Sequence, residues 1–79
     1  MKVTDIVEQG GTWFWTVHAD DGQKRMRTND SGEGVWVQWT ETEWRQIVGS
    51  SQFSLNGKSK AAAISYIRRY YKPYPLSGA

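Results

Sequence analysis

Residues 12–28 read TWFWTVHADDGQKRMRT, and this stretch decides the fold. Residues 12–19 are rich in aromatic and β-branched side chains, which suit a strand. Asp21-Gly22 between two strand-like runs is a hairpin signal, because Gly22 can take the positive φ that tight turns demand. Residues 23–28 then return antiparallel. Successive side chains on a strand point to opposite faces. Trp13 and Trp15 therefore share one face, and Phe14 takes the other. On the return strand Lys24, Met26 and Thr28 face one way, and Gln23, Arg25 and Arg27 the other. Strand register decides which of these sets joins Phe14, and the sequence leaves it open.

Upstream, KVTDIVE (2–8) alternates as a first strand, with Val3, Asp5 and Val7 on one face and Thr4 and Ile6 on the other. Gln9-Gly10-Gly11 ends it in a turn. Downstream, NDSGEG (29–34) has the composition of a loop. VWVQW (35–39) reads as a further strand, with Val35, Val37 and Trp39 on one face and Trp36 and Gln38 on the other.

The pattern changes at Thr40. Thr40 and Glu43 have capping-box spacing, and Trp44, Ile47 and Val48 follow at helical spacing, which predicts a short helix stopped by Gly49. Phe53 and Leu55 in the connector 50–57 are placed to plug the core. A second helix is predicted over about 59–71. Ser59 is its cap, Ala61–Ala63 are strong helix formers, and Ile64, Ile67 and Tyr71 form its inward stripe. Pro73 and Pro75 end it. The predicted fold class is α+β: a three- or four-stranded antiparallel β-meander followed by a short helix and a longer C-terminal helix, packed on one sheet face. Residues 1–72 form a single domain and 73–79 a flexible C-terminal tail. The expected core is Trp13, Trp15, Val17, Val35, Val37 and Trp39, meeting Trp44, Ile64 and Ile67.

A chain of 79 residues buries only about 60% of its unfolded surface. With no cysteine, neither disulfides nor thiolate metal sites are available. Five Trp, four Tyr and two Phe must supply the core, at about 150–250 Å² each. The absence of cysteine fits a reducing compartment. No apolar run approaches the roughly 20 residues that span a membrane, and no signal peptide is visible, so the expectation is a cytoplasmic protein. One His and scattered carboxylates offer no catalytic constellation and no metal-ligand spacing, and no phosphate-binding or dinucleotide fingerprint is present. His18 near Asp20 and Asp21 is better read as part of a solvated hairpin tip than as an acid–base pair. The expectation is a non-enzymatic chain with no cofactor.

Binding remains. The net charge is only +2, but the cations cluster in KRMRT (24–28) and KSKAAAISYIRRYYK (58–72). Helices totalling about 20 residues cover one sheet face, not two. The other face then presents rings beside cations, a surface on which bases stack and phosphates are neutralised. This points to nucleic acid, DNA in particular. Lys24, Arg25, Arg27, Lys58, Lys60, Arg68, Arg69 and Lys72 are the candidate contacts, and Phe14, Trp36, Tyr66 and Tyr70 the candidate stacking or interface residues. The bland alternative is a cross-strand Phe14–Trp36 pair with solvated cations. The functional alternative is a protein–protein interaction module: a phage- or plasmid-type accessory protein that binds and inhibits a host complex, or a homodimer through the aromatic face.

Overall fold

The computed structural model describes residues 2–71; Lys72 and the 73–79 tail lie outside the described residues. Five strands, β1 (Lys2–Gln9), β2 (Thr12–Ala19), β3 (Gly22–Arg27), β4 (Val35–Gln38) and β5 (Trp44–Val48), precede one helix, α1 (Lys60–Tyr70). The strands form one antiparallel sheet in sequence order. This is α+β as expected, with two corrections: the meander has five strands, and one helix packs on it.

Both corrections arise in residues 40–48. Thr40 does act as a cap, its hydroxyl accepting the Glu43 N–H at 3.0 Å. That bond closes the bend between β4 and β5, with the Trp39 N–H donating to the Glu43 carbonyl at 2.8 Å. Trp-Arg-Gln-Ile-Val then continues as β5 along the free edge of β4. A local cap serves a turn as well as a helix, and a β-branched and aromatic run beside an open edge gains a ladder of backbone bonds. Trp39, expected in the core, is instead 59% exposed and lies under the Arg45 guanidinium at 4.3 Å. Trp44, also expected there, points to the opposite face.

A further departure from the expected pattern is in β1. Pairing shifts between Thr4 and Val7, and Asp5 takes a positive φ of 55°. This bulge leaves Val3 buried opposite Val17, while Val7 emerges on the other face opposite Phe14. Uninterrupted alternation had put the two valines together.

The core lies between the sheet and α1. Trp13, Trp15, Val17, Met26, Val35 and Val37 meet Ala63 and Ile67 of the helix. Phe53 and Leu55 do plug it, held by backbone bonds from Gly34 N–H to the Phe53 carbonyl and from Leu55 N–H to the Gly32 carbonyl, both 2.8 Å. Phe53 stacks on Trp15 at 5.7 Å. At the β1–β2 turn, a Cβ on Gly11 would sit 2.2 Å from the Asp30 carbonyl oxygen, so only glycine lets the 29–34 loop approach. Thr28 is fully buried; its hydroxyl accepts the Trp13 N–H and donates to the Asn29 carbonyl. Ser59 caps α1 as expected, accepting the Ala62 N–H at 3.2 Å.

Candidate functional site

Register settles which cations join Phe14. Phe14 pairs with Arg27 and Thr16 with Arg25, and Arg27 pairs in turn with Trp36. The outer face, opposite α1, therefore carries Arg25 and Arg27, while Met26 joins the core. Across the sheet, Val7, Phe14, Arg27, Trp36 and Gln46 form one row. Thr4, Thr16 and Arg25 form the next, with the Gln38–Trp44 pair across the cleft from Arg25, and Lys2, His18 and Gln23 form a third. No paired position on this face is an Asp or Glu. Carboxylates meet it at its margins: Asp5 at the β1 bulge accepts the Thr4 hydroxyl and Asp30 the Thr12 hydroxyl, both at 3.1 Å, and Glu41 borders a cleft of about 580 Å³ that also includes Gln23, Lys24, Arg25 and Gln38. Among the described residues no element covers this face.

The two arginines leave β3 in opposite directions. Arg25 crosses β2, and its Nη1 donates to the Asp5 carbonyl and to the Thr16 hydroxyl, both at 2.9 Å. Its guanidinium carbon lies 5.8 Å from the Phe14 ring centre. Arg27 crosses β4 to reach Trp44 on β5, 5.0 Å from the ring centre. Its Nε–H is buried without a hydrogen-bond partner. Among the described residues Arg27 donates to no protein acceptor. Each guanidinium is held over a ring by cation–π attraction, worth about 0.5–2 kcal/mol. His18 faces the same way, hydrogen-bonded through Nε2 to the Thr4 hydroxyl at 2.7 Å, rather than pairing with Asp20 or Asp21.

The remaining basic candidates lie elsewhere. Lys24 has the parity of Met26 along β3 but also lines the cleft that includes Arg25, and its ammonium sits 3.6 Å from Asp21. Lys58, Lys60, Arg68 and Arg69 belong to α1 and its approach, exposed on the far side of the molecule. Lys58 and Arg69 flank the Tyr66 ring at 4.9 and 5.9 Å. Lys58 and Lys60 also border a cleft of about 430 Å³ floored by Trp13, where Glu8 and Asp30 offset their charge. Tyr66 and Tyr70 both meet Phe53 edge-on, at 5.1 and 5.2 Å. The basic helix thus lies on the opposite side of the sheet from Arg25 and Arg27.

Sequence reasoning missed Lys2, Trp44 and Gln46 as outer-face residues. The signal for the last two was present: read as a strand, WRQIV puts Trp44 and Gln46 on one side. Among the described residues no group of three or more His, Asp or Glu is placed to hold a metal ion, and no helix is long and apolar enough to cross a membrane. Comparison of the chain with protein-family models, with curated proteins and with solved structures gives no match.

Proposed function

We propose that the chain is a non-enzymatic, cytoplasmic binding protein that takes nucleic acid, DNA in particular, on the outer face of its sheet. One observation carries this reading. Every paired position on an uncovered five-stranded face is a cation, an amide, a hydroxyl, a ring or a valine, and none is a carboxylate. Such a face attracts a polyanion, and amides and guanidinium groups hydrogen-bond bases. Arg25 and Arg27 are the central contacts and Lys2 a peripheral one.

The test is a titration of the full chain with single- and double-stranded oligonucleotides, read by tryptophan fluorescence at two salt concentrations. Binding is expected to weaken log-linearly with salt. Reversing Arg25 and Arg27 to Glu abolishes it, whereas reversing Arg68 and Arg69 leaves it intact. No response to any oligonucleotide ends this reading.

A second reading has its own support. Trp39 and Ile47, 59% and 54% exposed, flank β5, an edge strand with one neighbour. Exposed apolar groups beside an unpaired edge suit a protein partner or a second copy of the chain. Binding that survives high salt favours it.

A further inference from the structure

Asparagine is a thermally labile residue. Its amide carbon can be attacked by the next backbone nitrogen, and a glycine at that next position leaves the approach unhindered. The chain has two asparagines, Asn29 and Asn56, and Asp21-Gly22 offers the weaker, carboxylate version of the same pair. The fold treats the three differently. Asn29 is half-buried, and its Oδ1 accepts the Ser31 and Glu33 N–H groups at 2.9 and 3.0 Å. Turning that side chain toward the Asp30 nitrogen breaks both bonds. Asp21 faces the Lys24 ammonium at 3.6 Å, and Gly22 is paired with Ala19 in the β2–β3 ladder.

Asn56-Gly57 carries no such restraint. Both residues are exposed, in a turn closed by the Lys58 N–H donating to the Leu55 carbonyl at 3.2 Å. Among the described residues neither the Asn56 carboxamide nor the Gly57 N–H has a hydrogen-bond partner. Gly57 has a φ of 78°, and a Cβ built on it meets nothing within 4 Å. The backbone there can turn for ring closure without displacing a neighbour.

We propose that Asn56 is a site of spontaneous deamidation in the folded chain. The Gly57 nitrogen bonds to Cγ of Asn56, gives up its proton and expels ammonia, closing a cyclic imide. Water then opens the ring. Cleavage at the side-chain carbonyl gives aspartate. Cleavage at the main-chain carbonyl gives isoaspartate, in which the backbone runs through Cβ and Cγ and is one atom longer. Either product puts a carboxylate where a neutral amide stood, in the cleft already bordered by Glu8, Asp30, Lys58 and Lys60. The turn also joins two structural parts. Leu55 before it is buried and tied to the Gly32 carbonyl, and Ser59 after it caps α1. The extra backbone atom of isoaspartate falls inside the loop closed by the Leu55–Lys58 hydrogen bond and loosens the seat of Leu55. Aspartate leaves the length of that loop unchanged.

The experiment keeps the full chain folded at mildly alkaline pH, which favours loss of the Gly57 amide proton, and in parallel unfolded in urea. Peptide mapping by mass spectrometry follows the amide-to-acid change at each asparagine. Asn56 is expected to convert in the folded chain at a rate within about threefold of that in urea, because an exposed turn with no bond to break needs no opening. Asn29 stays intact. Hydroxylamine, which attacks the imide, cuts the folded chain between Asn56 and Gly57. Asn56→Gln, whose longer side chain closes a ring far more slowly, keeps its amide and is not cut. The isoaspartyl form, isolated by chromatography, has a lower urea midpoint than the fresh chain, whereas Asn56→Asp keeps the fresh chain's midpoint. Protection of Asn56 by roughly tenfold or more on folding overturns the site, as does hydroxylamine cleavage that persists in Asn56→Gln. Equal midpoints for the isoaspartyl and fresh chains overturn its link to the core.

Discussion

Phe14 and Trp15 are neighbours on β2 with opposite surroundings. Trp15 is fully buried, stacked on Phe53, and closed over by Ile67 and Tyr71. Phe14 is half-buried, and its nearest cation is Arg25 at 5.8 Å. On one face aromatic rings are packed by other apolar groups. On the other, long cationic side chains lie across the sheet, their stems covering apolar surface and their heads left toward solvent. Burial on the first face is chiefly a matter of volume and shape. On the second it is a matter of charge and of available hydrogen-bond donors. The two faces therefore differ in what a substitution costs.

The largest expected effect is on the packed face. Phe53→Ala removes the ring that touches Trp15, Tyr66 and Tyr70 and leaves a cavity. Stability falls by about 3–5 kcal/mol, read as a lowered urea midpoint. A loss under about 1 kcal/mol shows that the connector is not a structural part of the core.

A smaller effect tests whether that face excludes charge. Burial pushes the Tyr71 phenol up to about 12. Its folded pKa lies above its ordinary value, so the protonated form is favoured on folding. The contribution is intact below pH 10 and is lost as pH climbs from 10 toward 12, by at most about 2 kcal/mol after allowance for partial exposure. Urea midpoints across this range should fall for the wild type and less steeply for Tyr71→Phe. Parallel slopes show that other groups carry the alkaline loss.

The smallest effect belongs to the outer face. Phe14→Ala loses a cation–π contact and a cross-strand neighbour, about 1 kcal/mol together. A cost equal to that of Phe53→Ala erases the contrast between the faces.

Much of this was legible in the chain. The hairpin through Asp21-Gly22, the loop at 29–34, the plug formed by Phe53 and Leu55, and the Ser59-capped helix follow from local rules: side-chain alternation, turn chemistry, capping and helical period. The candidate site was legible by halves. Exposed rings beside cations on the uncovered sheet face were expected, but the strand that adds Trp44 to that face was not. The segments opened by Thr40 and Ser59 show why. Both hydroxyls cap a turn, yet one leads into β5 and the other into α1. Ala61–Ala63 favour a helix strongly. Trp-Arg-Gln-Ile-Val satisfies the helical period only loosely and meets the open edge of β4, where pairing decides.

The amino-acid order alone determined the existence of the meander, the terminal helix and the identity of most core residues, because period and turn propensity act within a few positions. Tertiary structure decided the fifth strand, the β1 bulge, and the placement of Arg27 between Phe14 and Trp36. Register is a relation between distant strands, and a shift of one residue would exchange the two faces.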